Sequence, residues 1–114
     1  MKNISMAAAA KSIVDYAGSE NFVYINVMNR MSVDCDCNGD PAEPTMKDIG
    51  IVASLDPVAA DKAALDFVDK AKDGADLRER IKSRNGRLTT FRAAEIGLGS
   101  LDYELVDIDK SKTK

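Results

Sequence analysis

Two short and almost entirely apolar segments constrain the fold of this 114-residue chain more than any other feature. The first spans residues 22–28 and the second spans residues 49–55, and both contain several β-branched side chains. Neither segment shows the strict apolar–polar alternation of a strand that has one face in water. We therefore expect two strands that are covered on both faces, as in an α/β sheet.

Helix signals surround these strands. Apolar residues recur at helical spacing in the first 17 residues, and Gly18 is a typical helix end. Asp56 and Pro57 combine a side-chain N-cap with a proline at the first helical position. The predicted helices span residues 5–17, 57–72, 76–83 and 89–96.

A third strand is predicted near the C-terminus, where Leu101–Ile108 alternates apolar and acidic residues over most of its length. The elements together predict an α/β fold, a small single domain over residues 1–109 with about three strands in a mixed sheet packed by about four helices. Residues 29–47 form a long loop that carries cysteine and aspartate, and residues 110–114 form a polar C-terminal tail. Loops of this length in compact domains are usually functional or mobile.

The composition excludes several classes of function. The chain contains no histidine, which rules out Ser-His-Asp triads, Cys-His dyads and zinc sites that need imidazole. The net charge of −3 argues against general nucleic-acid binding, and no apolar run approaches the ~20 residues of a membrane helix. The two cysteines stand one residue apart, unlike the framework of a secreted domain, so we expect a cytoplasmic protein with reduced thiols.

The long loop contains the first candidate for a chemical site. Asp34, Cys35, Asp36 and Cys37 alternate hard and soft metal ligands within four residues. Two cysteines cannot complete a tetrahedral thiolate site or hold a cluster, so further ligands would come from carboxylates, a second copy or a partner domain. The alternative is structural: the cysteines pack as small apolar residues while the acids face water.

Two carboxylates around the second strand and its following helix are further candidates. Asp56 is explained by its role as an N-cap. Asp61 falls on the apolar face of the predicted helix, where a carboxylate needs a cation, backbone amides or a charged partner. Both are candidate additional metal ligands, and the alternative for Asp61 is a satisfied structural carboxylate.

A basic run lies in the second half of the chain. The acidic loop is its expected counterpart, and the alternatives are an anion or nucleic-acid patch or solvated helix faces. The segment Gly97–Ser100 follows a helix and precedes a strand, the reverse of a phosphate-binding loop, so we interpret it as a turn. The run comprises Arg78, Arg80, Lys82, Arg84, Arg87 and Arg92.

Several of these segments, in this order, resemble the family of domains of unknown function numbered 362, often described as iron–sulfur-centre proteins. The resemblance covers nearly the whole chain and implies the C-terminal region of a longer protein, commonly accompanied by a ferredoxin-type module. The chain lacks the ferredoxin cysteines, and residues 42–47 are more polar than the corresponding family segment. The resemblance is carried by Tyr24–Asn26, Asp34–Cys37, Asp48–Ser54, Asp56–Ala59 with Asp61, Glu95–Ser100 and Tyr103–Leu105.

Two functional hypotheses follow. The first is a metal- or iron–sulfur-associated domain that binds a divalent metal, or a cluster shared with a partner, through Asp34, Cys35, Asp36 and Cys37. Asp56 and Asp61 would serve as additional carboxylates at the metal. The second is a docking module, without chemistry of its own, that packs on a larger redox or ferredoxin-bearing protein or on another copy of itself. An independent enzyme has the least support, because no nucleophile–base pair is placed together by the spacing.

Overall fold

The computed structural model describes residues 2–34 and 37–109. Met1, Cys35, Asp36 and the predicted polar tail 110–114 lie outside the described residues. The described part is an α/β arrangement of four helices and a two-stranded sheet. Its elements are α1 (Lys2–Ala17), a short 3₁₀ turn (Ser19–Asn21), β1 (Tyr24–Met28), β2 (Gly50–Ser54), α2 (Pro57–Lys70), α3 (Ala75–Ser83) and α4 (Arg87–Glu95).

The helix boundaries follow local sequence chemistry. Gly18 adopts φ 91° directly after α1, a backbone conformation that L side chains rarely adopt. Asp56 caps α2 by accepting hydrogen bonds from the backbone N–H groups of Val58 and Ala59 at 2.9 and 3.1 Å. The four predicted helices are therefore confirmed, with ends that differ by a few residues.

The sheet is antiparallel, with a register that runs from Tyr24 opposite Ser54 to Met28 opposite Gly50. The prediction of a mixed sheet is wrong for the described residues. A parallel pair needs a crossover connection, usually a helix, whereas the described part of the β1–β2 connection contains no helix. After the long loop the chain reverses direction, and β2 pairs with β1.

The predicted third strand is also wrong, since residues 101–107 form no strand. Two carboxylates, one on the N-cap of α2 and one in its second half, hold the start of this segment instead. The backbone N–H of Ser100 donates to Asp56 Oδ2 at 2.8 Å, and the Tyr103 hydroxyl donates to Asp66. The segment is thereby held against α2, where no strand is available to complete a ladder.

The core lies where α1, α2 and α4 meet. Ala7, Val58 and Ala93 are buried together, and Leu98 and Leu101 pack against them. Small residues at these positions allow the helices to approach closely, as expected for a chain with only 5 % aromatic residues. Helix α2 also contacts both strands, so it joins the helical core to the sheet. Among the described residues, no helix is long and apolar enough to cross a membrane.

Candidate functional site

One face of the sheet consists only of aliphatic side chains and is exposed, and we call it the open face. In β1 and β2 the exposed positions alternate with covered ones, and two cross-strand pairs result: Ile25 with Ala53 and Val27 with Ile51. Continuing the register by one residue places Val23 opposite Leu55, and both are exposed. The five larger side chains are 57 to 77 % exposed. The open face therefore comprises Val23, Ile25, Val27, Ile51, Ala53 and Leu55.

The opposite face is covered by α2 and is less apolar than the open face. It carries Asn26, Ser54 and Gly50 beside its larger apolar residues, and Asn26 Nδ2 donates to Asp61 Oδ1 of α2 at 2.9 Å. The prediction that both strands are covered on both faces is thus wrong for the open face. The apolar residues that suggested two-sided burial are present, but the described chain covers one side only.

The Asp34 carboxylate contacts both the long loop and α3. Its Oδ2 accepts a hydrogen bond from the backbone N–H of Ala42 at 2.8 Å, which closes the loop on itself. Its Oδ1 lies 3.3 Å from Arg80 Nη1, and the same nitrogen donates to the carbonyl of Val33 at 2.8 Å. The carboxylate is therefore engaged in holding the loop to α3.

Of the two cysteines, the described residues include Cys37 alone. Cys35 and Asp36 lie outside the described residues. Cys37 is disulfide-bonded, so the expectation of a reduced thiol is wrong at this position. A disulfide sulfur is not a thiolate ligand, and metal binding through Cys37 would first require reduction.

Asp56 and Asp61 both have protein partners. Asp56 uses one oxygen to cap α2 and the other to bind Ser100, which confirms the N-cap and adds a contact that the sequence did not suggest. Asp61 is exposed, contrary to its predicted place on a buried face, and its partner is the amide of Asn26. Within residues 2–34 and 37–109, no three cysteine or carboxylate side chains are grouped so that they could hold a metal ion.

The basic run serves mainly to join elements. Arg78 donates to the carbonyls of Val68 and Ala71 at 3.0 and 2.7 Å and so caps the C-terminal end of α2. Arg80 binds the long loop as expected for the run, whereas Arg87 pairs with Asp69 of α2. The guanidinium groups of Arg78, Arg80 and Arg87 are therefore engaged by acceptors within the chain, which disfavours an anion-binding patch built from them.

A cluster that the sequence analysis missed joins α2 to the C-terminal segment. Lys62 Nζ lies 2.6 Å from Asp66 Oδ1, and the Tyr103 hydroxyl donates a hydrogen bond to Asp66 Oδ2. Partial burial opposes ionisation of Asp66, but the hydrogen bonds from Lys62 and Tyr103 outweigh it and lower the pKa of the carboxyl. The hydrogen bond to Asp66, with partial burial, raises the pKa of Tyr103 to about 12.

The shifted pKa of Tyr103 predicts the pH range over which its hydrogen bond to Asp66 stabilises the fold. Because the Tyr103 pKa is raised from 10.0 to about 12 on folding, its contribution to stability is present below pH 10 and is lost as the pH rises to about 12. Tyrosinate absorbance should therefore show one tyrosine ionising near pH 12, and Tyr103→Phe should remove that step. A Tyr103→Phe titration that retains the step near pH 12 would contradict the assignment.

Comparison with known families gives one result. The family model described as Domain of unknown function (DUF362) matches residues 2–66, which is more than half of the chain. The matched region contains α1, both strands, the long loop and most of α2. No curated protein and no solved structure gives a significant match.

Proposed function

The chain belongs to the family Domain of unknown function (DUF362), and on this premise we propose that it is a docking module. Its open face packs on a larger redox protein that carries an iron–sulfur module. The single observation that supports docking is the distribution of side chains on the sheet: the exposed face is wholly aliphatic, whereas the face under α2 includes Asn26 and Ser54. Exposed apolar patches of this kind mark interaction surfaces.

The size of the open face supports the same conclusion. An exposed aliphatic side chain offers on the order of 100 Å² for burial, so the open face offers roughly 600 Å². At ~25 cal/mol per Å², covering it contributes on the order of 15 kcal/mol before the costs of association. Those costs are ~4–15 kcal/mol or more, which is comparable to this gain, so the partner must bury apolar surface of its own for binding to be favourable.

The proposed partner derives from the family resemblance. The resemblance implies that this chain corresponds to the C-terminal region of longer members, which a ferredoxin-type module commonly accompanies. A [4Fe–4S] or [2Fe–2S] cluster is normally held by four cysteines, and this chain has two. In this proposal the cluster therefore belongs to the partner, and the chain supplies an apolar surface that the partner covers.

Binding to a purified ferredoxin-type module from a longer DUF362 protein tests the proposal. We expect Ile51→Lys to weaken binding at least about 30-fold, because it places a charge within the contact. Ile13→Lys on α1 is the matched control, since Ile13 and Ile51 are 61 and 67 % exposed and are the same residue type. Isothermal titration calorimetry measures both variants against the same module.

Equal binding by the wild-type chain and Ile51→Lys would refute docking through the open face. Absence of binding by the wild-type chain would refute the proposed partner. Far-UV circular dichroism of each variant shows whether the sheet is retained, so a folding defect is recognised before affinities are compared.

The metal hypothesis is retained as a second proposal on the spacing of Asp34, Cys35, Asp36 and Cys37. In this form a dithiol reductant first supplies the two electrons and two protons that reduce the Cys37 disulfide, and the thiolates then bind a divalent metal or a cluster shared with the partner. Asp56 and Asp61 give up their present contacts to act as additional carboxylates. Metal and acid-labile sulfide content of the reduced chain, with and without both cysteines, tests this assignment.

A further inference from the structure

The open face has the chemistry of a surface that can pack against itself. A two-fold symmetric interface places the same patch of both copies in contact, so any charge near its centre meets a like charge. All six open-face side chains are uncharged and aliphatic. Two copies can therefore meet across it without burying a charge or an unpaired side-chain polar group.

The area is also sufficient for a weak but specific dimer. Roughly 600 Å² from each copy gives about 1,200 Å² in total, the lower end of the ~1,200–2,000 Å² buried by stable interfaces. The largest exposed apolar patch of a typical monomer covers ~300–600 Å² and is often functional, and the open face lies at the upper end of this range.

The alternation of large and small side chains on the open face suits sheet-on-sheet packing. Along β2 the open face presents Ile51, Ala53 and Leu55, a large–small–large sequence. Ala53 is the smallest side chain of the face and lies opposite Ile25, its cross-strand neighbour. Two sheets that pack face to face lie about 10 Å apart and interdigitate their side chains, so a large side chain of one copy can pack over the small Ala53 of the other.

We infer that the open face binds the open face of a second copy, which gives a homodimer with the sheets inside and one α2 on each outer side. This inference rests on the proposed function, since the dimer occupies the surface on which the redox partner docks. Dimer formation and docking then exclude each other, and self-association keeps the apolar surface covered until the partner competes for it.

Sedimentation equilibrium over a wide concentration range tests the inference with the chain alone. The wild-type mass should rise from 12.3 kDa toward twice that value as concentration increases. Ile51→Lys should raise the dimer dissociation constant about 1,000-fold, because each dimer contains twice a change that is expected to cost ~30-fold once. Ile13→Lys should leave it unchanged. Ile51→Thr, which keeps a β-branched side chain in the strand, should give an intermediate increase if Ile51→Lys disturbs the fold.

The outcomes separate this inference from the proposed function. A wild-type chain that stays monomeric at millimolar concentration overturns the dimer, while binding to the ferredoxin-type module can still be measured. A dimer that Ile51→Lys and Ile51→Thr leave intact overturns the inference as well. If the dimer contact and the docking contact occupy the same open face, adding the ferredoxin-type module must dissociate the dimer. A complex that contains the module and two copies of the chain would contradict this mutual exclusion.

Discussion

Asp56→Ala should lower the free energy of unfolding by about 2 kcal/mol. The substitution removes the N-cap of α2, typically worth ~1 kcal/mol, and the acceptor of the Ser100 N–H, a further ~1 kcal/mol. Urea unfolding followed by far-UV circular dichroism measures this loss, and for a domain of this size it corresponds to a decrease in Tm of roughly 8 °C.

Asp56→Asn separates the two contacts of Asp56. Asparagine caps helices about as well as aspartate, but its amide nitrogen cannot accept a hydrogen bond from Ser100. We therefore expect about half of the loss seen with alanine. Asp76→Ala is the control, because Asp76 lies in the first turn of α3 and the N-terminus of that helix has no side-chain capping hydrogen bond. If Asp56→Ala and Asp76→Ala cost the same, the proposed role of Asp56 is wrong.

Gly99→Ala should be nearly as damaging, by about 2 kcal/mol, for a reason that depends on Asp56. A Cβ at Gly99 would overlap the Asp56 carboxylate, whose Oδ2 also accepts the Ser100 N–H. Overpacking of this kind costs ~1–3 kcal/mol. Because the overlap is with the carboxylate itself, Gly99→Ala should cost much less when Asp56 is already alanine.

A double-mutant cycle measures that coupling. We expect a favourable interaction energy of at least about 1 kcal/mol between Asp56→Ala and Gly99→Ala, within the range of residues in direct contact. Gly39→Ala is a matched control, since a Cβ there meets nothing within 4 Å. Equal costs of Gly99→Ala in both backgrounds would show that the close approach of Gly99 to Asp56 does not limit stability.

The helices were predictable because their signals are local. Asp56 and Pro57 mark the start of α2 through adjacent residues, and Gly18 marks the end of α1 in the same way. The strands were predictable for a related reason: a short apolar, β-branched run identifies a strand without reference to its partner. Family membership also followed from the order of the quoted segments, and the family model supports it over residues 2–66.

The sheet and the site contacts depend on distant residues and were not predictable in this way. The alternation of Leu101–Ile108 gives it strand character, but its position is set by Tyr103 and Ser100 binding to α2. Periodicity placed Asp61 on a buried face, yet the side chain is exposed beside Asn26, 35 residues earlier. The open face was missed because an apolar run has the same composition whether both of its faces are covered or only one.

The most direct test of the docking surface is the solvent accessibility of individual isoleucine methyl groups, measured by NMR with a soluble paramagnetic probe. In dilute solution the δ1 methyls of Ile25, Ile51 and Ile13 should all be strongly relaxed, since all three side chains are at least 60 % exposed. When the ferredoxin-type module is added, Ile25 and Ile51 should become protected while Ile13 stays accessible. Ile25 and Ile51 methyls that stay accessible in the presence of the module, or that lose accessibility together with Ile13, would contradict the proposal that the open face is the docking surface.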